Sequence, residues 1–337
     1  MKPTVTAEIL ATSKAIRECH LSRGTWVLIA ALVMSVVPAY ATFPGVNGRI
    51  AFQVQVTPDA HVQIYTVRPN GHDLRQITDF TDADAVTPDW SPDGRQIAFE
   101  INRDHEPFCG IALMNADGSN IVELTPAEFV CENDPHFTPD GAHIIFDRFD
   151  GVDEAFWIMD VTGNNRQRIG QCCADPNPSP NGEKFSYVAL QDEENFLTAL
   201  YTANIDGTNP QQLTPFEFGV AVKQDWAPDG LHLVFTKNGI GHPPGISANI
   251  AIIRPDGTDL KLLTHFEGGD VQAIFGSYSP DGRWLVFRLE DHGSFALYKM
   301  RPDGSHMRAI LPLSDFKPRV IAWGAKPIEA EDEDEGK

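Results

Sequence analysis

Five aspartates stand where the innermost strands of a repeated sheet would begin. They are Asp84, Asp89, Asp134, Asp175 and Asp225. Carboxylates gathered in a ring could hold Ca²⁺, a hard cation that takes about six to eight oxygen ligands. Asp84, Asp134 and Asp175 are the candidate ligands, and the alternative is that such carboxylates cap loops and form Asp-Pro turns. The sequence indicates no cofactor apart from this calcium candidate.

Histidines in three variable loops are further candidates for binding. These are His105, with Glu106 beside it, and His242 and His292. Their repeats are not all adjacent, and His105-Glu106 lacks the second histidine of a zinc-protease helix, so exposed loop histidines are the alternative. The sequence contains no Gly-x-Ser-x-Gly elbow, phosphate-binding Gly loop or dinucleotide fingerprint. We therefore predict no catalytic residue.

The cysteines favour structural bonding over redox or metal chemistry. The four that follow residue 41 are Cys109, Cys131, Cys172 and Cys173, and none has the spacing of a zinc site. An even number in an exported chain permits disulfides. We favour a Cys109–Cys131 pair, while Cys172 and Cys173 either bond to each other, pair elsewhere or stay reduced.

The first 41 residues have the order of a secretory signal peptide. Lys14, Arg17 and Arg23 precede an apolar run at 26–37, and Ala39-Tyr40-Ala41 offers a small-residue cleavage pattern. The run is shorter than the roughly 20 residues of a membrane span, although an uncleaved anchor stays open. We expect a periplasmic or secreted monomer, not inserted in a membrane after cleavage.

Charge limits the partners of the mature chain. The full sequence has a formal net charge of −21, and without residues 1–41 it carries 22 basic and 45 acidic side chains, a net charge of −23. Nucleic acids and anionic membranes need basic patches, so neither is an expected partner. Cations and basic protein surfaces remain as possible partners. Residues 329–335 are almost all acidic, and residues 327–337 are expected to form a solvated, disordered tail.

A five-residue pattern recurs along the chain and predicts the fold. Its glycines, Gly94, Gly141, Gly182, Gly230 and Gly282, are 47, 41, 48 and 52 residues apart, which is about the length of a propeller blade. Pro, Asp or Asn, and Gly in that order form a tight turn. An alternating or apolar strand follows each turn, and an offset strand leads to a second Gly turn. Each repeat therefore predicts four antiparallel strands.

The two ends of the repeat region complete one another. Asn47 to Phe52 matches the turn and second strand but has no first strand, whereas Val320 to Gly324 matches a first strand that nothing follows. Pairing the C-terminal strand with the three N-terminal strands closes the ring and removes its open edges. We predict an all-β, six-bladed β-propeller of four-stranded antiparallel blades over residues 42–326.

The repeated Trp-Ser-Pro-Asp-Gly-x-x-Ile-Ala-Phe motif resembles the TolB-like, WD-repeat-like propeller family across about residues 46–324. The resemblance implies a periplasmic protein that binds an envelope lipoprotein. The globular domain that precedes the propeller in this family is not expected here, since the repeats begin shortly after the predicted cleavage site.

Two functions follow as hypotheses. The favoured one is an interaction scaffold for an envelope or extracellular protein, bound by the face that carries the variable loops. The alternative is a metal-assisted carbohydrate lyase or hydrolase, or a lactonase, that uses the mouth of the central channel. Whether the chain is an enzyme stays open, and a binding role is preferred.

Overall fold

The computed structural model describes residues 44–104, 109–125, 130–170, 174–192, 197–239 and 245–327. Within them, 24 strands form six separate four-stranded sheets, and all strand pairs are antiparallel. The predicted six-bladed propeller is confirmed. The strands of blades 1 to 3 are β1 Asn47–Val54, β2 Gln63–Val67, β3 Arg75–Gln76, β4 Ala83–Trp90, β5 Gln96–Arg103, β6 Cys109–Asn115, β7 Val122–Glu123, β8 Cys131–Phe137, β9 His143–Phe149, β10 Glu154–Asp160 and β11 Gln167–Arg168.

Blades 4 to 6 follow the same order, and the last strand returns to blade 1. Their strands are β12 Ala174–Pro178, β13 Lys184–Asp192, β14 Leu197–Asn204, β15 Gln211–Gln212, β16 Asp225–Trp226, β17 Leu233–Lys237, β18 Asn249–Ile253, β19 Lys261–Leu262, β20 Val271–Tyr278, β21 Leu285–Asp291, β22 Ser294–Met300, β23 Arg308–Ser314 and β24 Arg319–Ala325. A short 3₁₀ helix spans Phe216–Phe218, and no helix among the described residues has the length and apolarity to cross a bilayer.

Local hydrogen bonds explain why the recurring pattern forms a turn. In the first copy, the Ser91 hydroxyl donates to Asp93 Oδ1 at 2.7 Å, and the Arg95 amide donates to the same oxygen at 3.0 Å. Gly94 then adopts a φ of 67°, which is in the left-handed region that favours glycine. The chain reverses at this point and enters β5.

Strand β24 closes the ring. It pairs with β1, and Ile50 lies directly opposite Trp323. The Lys326 amide also donates to the Val46 carbonyl at 2.7 Å. Blade 1 therefore consists of β24, β1, β2 and β3 in that order, as the two partial repeats predict.

The core lies between neighbouring blades. Trp90 of blade 2 packs in one cluster with Ala51 and Ala322 of blade 1. A Cβ added at Gly324 would lie 2.4 Å from the Trp90 ring, so only glycine allows the two blades to approach this closely. Truncating such a buried indole to alanine typically costs about 3–5 kcal/mol. The innermost strands contact one another in sequence around the ring, and they surround its central channel.

Candidate functional site

One residue in or just before each innermost strand adopts a left-handed backbone conformation. Each lies three positions before the aromatic residue (Pro178 in blade 4) at which the innermost strand approaches its turn, and in five blades the strand register shifts across it, as in a β-bulge. A bulge changes the direction of a side chain. These six residues, which we call the channel ring, are Thr87 (φ 48°), Asp134 (46°), Asp175 (61°), Lys223 (72°), Phe275 (63°) and Val320 (44°).

A second set of six residues lies behind the channel ring. Each directly follows the aromatic residue of the second strand of its blade, and together we call them the support ring. Gln53 accepts the Thr87 amide at 2.7 Å, and Thr236 accepts the Phe275 amide at 3.0 Å, in each case from the next blade. The members are Gln53, Glu100, Asp147, Val188, Thr236 and Arg288.

A buried histidine joins three blades beside the channel ring. His136 of blade 3 is 4% exposed. Its Nε2 lies 2.9 Å from Asp175 Oδ1 of blade 4, and its Nδ1 lies 3.5 Å from Asp89 Oδ1 of blade 2. Asp175 also accepts the backbone amides of Lys223 and Gln224, which belong to blade 5. One imidazole and its two carboxylates thus connect four consecutive blades.

The electrostatics of this cluster favour a charged histidine. Burial and the Lys223 charge lower the pKa of His136, but the two carboxylates outweigh them and raise it to about 9. Burial alone would raise the pKa of Asp175 and Asp89, yet His136 brings both below their usual value. At neutral pH the cluster is therefore an imidazolium between two carboxylates.

Three further acids occupy the same side of the channel, and burial raises the pKa of each. For Asp134, burial together with the Asp175 and Glu100 charges raises the pKa to about 8. Burial also raises the pKa of Glu100, and it raises that of Asp147 well above its usual value. Asp147 Oδ1 is buried without a hydrogen-bond partner among the described residues. Asp134, Glu100 and Asp147, which we call the acidic wall, can hold protons near neutral pH or attract a cationic group.

A disulfide borders the acidic wall. Cys109 and Cys131 are bonded, and they connect β6 of blade 2 to β8 of blade 3. Asn133 Oδ1 lies 2.7 Å from Cys109 Sγ and 2.8 Å from Cys131 Sγ, while its amide nitrogen donates to Asp147 Oδ2 at 2.6 Å. The disulfide therefore lies directly against the side chain that donates a hydrogen bond to Asp147.

The other aspartates selected from the sequence do not all join this wall. Asp84 accepts the Val62 amide at 2.7 Å and lies 3.2 Å from His61 Nδ1, at the start of β4. Asp225 accepts the Tyr278 amide at 2.8 Å, and it connects blades 5 and 6. Asp134 and Asp175 interact as neighbouring charges, the Asp84 charge acts on Glu100, and Asp225 has partners of its own in blade 6.

Of the loop candidates, one lies among the described residues and the others lie outside them. His292 lies in the β21–β22 turn with its Nδ1 2.6 Å from Asp291 Oδ1, and it is mostly exposed. The remaining candidates lie outside the described residues: His105, Glu106, Cys172, Cys173 and His242. The same is true of the predicted signal peptide and of the acidic tail after Pro327.

Among the described residues, one group of three metal-ligand types has its donor atoms within 4.8 Å of one another. It consists of Glu100, Cys109 and Cys131. Two of the three are joined in the disulfide and have no thiolate to offer. Calcium at Asp84, Asp134 and Asp175 stays a prediction.

The profile of the TolB beta propeller domain family matches residues 34–213, which is more than half of the chain. The chain belongs to the TolB β-propeller family. An uncharacterised relative in Agrobacterium fabrum, Atu1656, is 27% identical over 211 residues, covering 62% of this chain and 67% of that protein. The family resemblance read from the repeated motif is thereby confirmed.

Solved structures show the same TolB-like fold at low sequence identity. TolB from Acinetobacter baumannii aligns with a TM-score of 0.67 and 20% identity, covering 83% of this chain and 67% of that one. A chain of the nidogen/laminin complex aligns with a TM-score of 0.63 and 11% identity, covering 82% of this chain and 98% of that one. At these identities the likeness concerns the fold alone.

Sequence reasoning missed several central residues of this TolB-like channel. His136, Lys223 and Arg288 carry no motif, and the residues at equivalent positions in other blades differ in charge and size. A usable signal was nonetheless present. The channel ring lies three positions before Trp90, Phe137, Pro178, Trp226, Tyr278 and Trp323, and the support ring lies one position after each second-strand aromatic residue.

Proposed function

We propose that this chain is an exported TolB-like interaction protein of the periplasm or cell envelope, and that its loop-bearing face binds a protein partner. In each blade the first-to-second and third-to-fourth turns lie on one face, and the variable loops lie on the other. The acidic wall of the channel is near the loop-bearing face. Function is disproportionately found on such loops.

The observation that carries the proposal is a set of apolar side chains at the tips of adjacent hairpins. Val152 is 93% exposed in the β9–β10 loop of blade 3, and Phe149, the last residue of β9, is 45% exposed. Leu190 is 42% exposed near the end of β13 in blade 4. Contiguous exposed apolar groups with a polar border are typical of protein-binding surfaces.

The surroundings of these tips indicate the chemistry of the partner. Asp150, Asp153 and Glu154 flank Val152, and the chain as a whole has a net charge of −21. Opposite charge steers association and suppresses unsuitable partners. The expected partner is a protein with an apolar patch bordered by Lys and Arg.

Site-specific crosslinking tests the proposal. A photoreactive residue at position 152 is expected to capture a protein, identified by mass spectrometry, that the same residue at position 231 does not capture. Leu231 is the matched control because it is 55% exposed and follows Gly230 in a turn on the opposite face. The captured protein is then purified for direct binding measurements.

Binding of that protein should weaken about tenfold or more in V152D and L190D, since a charge replaces an apolar contact. It should also weaken as salt rises, because the partner is basic. L231D should bind like the wild type. Equal affinity for all four proteins would contradict the proposal.

A further inference from the structure

Arg288 is a buried cation whose hydrogen-bonding capacity is largely unused. It is 4% exposed, and its Nη2 lies 3.4 Å from Glu290 Oε2. Among the described residues, its Nε and Nη1 have no hydrogen-bond partner. Buried donors of a charged group are normally paired, since leaving them unpaired is costly.

Two aromatic rings hold the guanidinium in place. Its Cζ lies 5.0 Å from the centre of the Phe275 ring and 5.7 Å from that of Phe295. Phe275 is a channel-ring residue with a φ of 63°, a strained conformation for a bulky side chain. The guanidinium is thus fixed beside the channel by contacts that satisfy none of its N–H donors.

Two more cations are near Arg288. Burial and the Arg319 charge lower the pKa of Arg288 to about 10, against an opposing effect of Glu290. Lys317 lies 4.3 Å from the Phe295 ring centre, and burial and the Arg288 charge lower its pKa. Among the described residues, Glu290 is the carboxylate that acts on Arg288 and Lys317.

Comparison among the blades shows what is unusual at this position. The support-ring residues Gln53 and Thr236 offer an oxygen to the backbone amide of the next channel-ring residue. Arg288 holds the equivalent position before Val320, but a guanidinium has five donors and no acceptor. Donors therefore accumulate between blades 6 and 1, whereas at the Gln53 and Thr236 positions a backbone donor is matched to a side-chain acceptor.

We propose that Arg288, Lys317 and Arg319 form a binding site for a carboxylate group at the channel mouth between blades 6 and 1. Arg forms paired, charge-assisted hydrogen bonds with carboxylates, and Lys317 and Arg319 lie on the loop-bearing side, where a ligand enters. The carboxylate belongs either to a small organic acid or to a peptide. The site does not depend on the partner proposed above.

Succinate is the first probe, added to the full chain at constant ionic strength with chloride as the reference salt. We expect saturable binding by calorimetry. In R288M the Kd should rise about tenfold to a hundredfold, as for a lost hydrogen bond to a charged group. K237M is the matched control, since Lys237 Nζ also lies over an aromatic ring, 4.5 Å from the centre of Phe218, but in blade 5.

Replacing a buried cation by an apolar side chain of similar size is often tolerated, and circular dichroism and thermal unfolding check that R288M is folded. The double variant K317Q/R319Q provides the same test at less buried positions, and it should also weaken succinate binding about tenfold. Absence of succinate binding to the wild type, or an unchanged Kd in both variants, would overturn the proposal.

Further probes distinguish the sources of the carboxylate. A short peptide with a free C-terminal carboxylate is compared with its C-terminal amide, neither containing Asp or Glu. Competition with succinate by the free acid alone supports a peptide carboxylate, and absence of competition by either supports a small organic acid. Inorganic phosphate binding more tightly than succinate would overturn the assignment to a carboxylate.

Discussion

Replacing His136 by glutamine removes the positive charge that connects blades 2, 3 and 4 while leaving a side chain that can form hydrogen bonds. Two buried carboxylates, Asp89 and Asp175, would then lose their shared cation. Removing one partner of a buried ion pair is strongly destabilising because the remaining charge is uncompensated. We therefore expect H136Q to fold with a clearly reduced free energy of unfolding.

The size of the effect follows from the pKa of His136. It rises from 6.5 to about 9 in the folded state, and one pKa unit corresponds to about 1.4 kcal/mol, so the protonated folded state gains about 3 kcal/mol. Broken buried pairs typically cost about 3–5 kcal/mol, which agrees with this value. His136 is 4% exposed, so solvent screens the interaction little.

The pH dependence gives a second, independent signature. Because the folded-state pKa of His136 lies above the unfolded one, its stabilisation is complete below about pH 6.5 and is lost as the pH rises through about 9. The difference in free energy of unfolding between wild type and H136Q should therefore be greatest near pH 6. It should shrink steadily toward pH 10.

Urea unfolding followed by tryptophan fluorescence measures this difference at each pH. H143Q is the matched control in the same blade, because His143 has a 46% exposed side chain and lies 3.3 Å from Asp140 Oδ2. It should change the free energy of unfolding by less than about 1 kcal/mol. A loss below about 1 kcal/mol in H136Q at pH 6, or an equal loss at pH 6 and pH 10, would refute the ion-pair assignment.

Three other changes have definite expected outcomes. Replacing Cys109 and Cys131 by alanine should lower the free energy of unfolding by about 3 kcal/mol, from the loop entropy of a 22-residue separation, and an unchanged urea midpoint would count against this. D134N should match the wild type in stability near pH 4 and be more stable than it at pH 7, because burial and nearby charges raise the pKa of Asp134 from 3.8 to about 8. The wild type should lose stability between about pH 4 and pH 8, where the unfolded carboxyl has released a proton that the folded one keeps, and urea curves for D134N should show a smaller fall over this range; a parallel fall would be the contrary result. D225A removes the acceptor of the Tyr278 amide and should cost about 1–3 kcal/mol, measured in the same way, with a change under about 0.5 kcal/mol as the contrary result.

The fold was predictable because its signals are local and repeated. Gly94 and its counterparts mark turns whose chemistry does not depend on distant residues, and the spacing between copies gives the length of a blade. The closure of the ring was predictable because the N-terminal partial repeat lacks a first strand and the C-terminal one consists of a first strand alone. The pairing of Ile50 with Trp323 confirms it.

The site was less predictable because it depends on backbone geometry shared by unlike residues. Asp134, Lys223 and Phe275 have the same left-handed conformation, yet nothing in their side chains favours it. A bulge is set by how each innermost strand pairs with its neighbour, and this is a property of the folded blade. The charge of His136 likewise depends on carboxylates 47 and 39 residues away in sequence.

Because β24 supplies the fourth strand of blade 1, the ring cannot be completed before the ribosome has released nearly the whole described chain. Until then the inner edge of β1, on the side of the channel, presents unpaired backbone groups, to which another polypeptide could add a strand. Contacts between residues so far apart in sequence form slowly. The nascent chain thus passes through a period of vulnerability to aggregation, in which a chaperone that covers residues 47–54 would have its greatest effect.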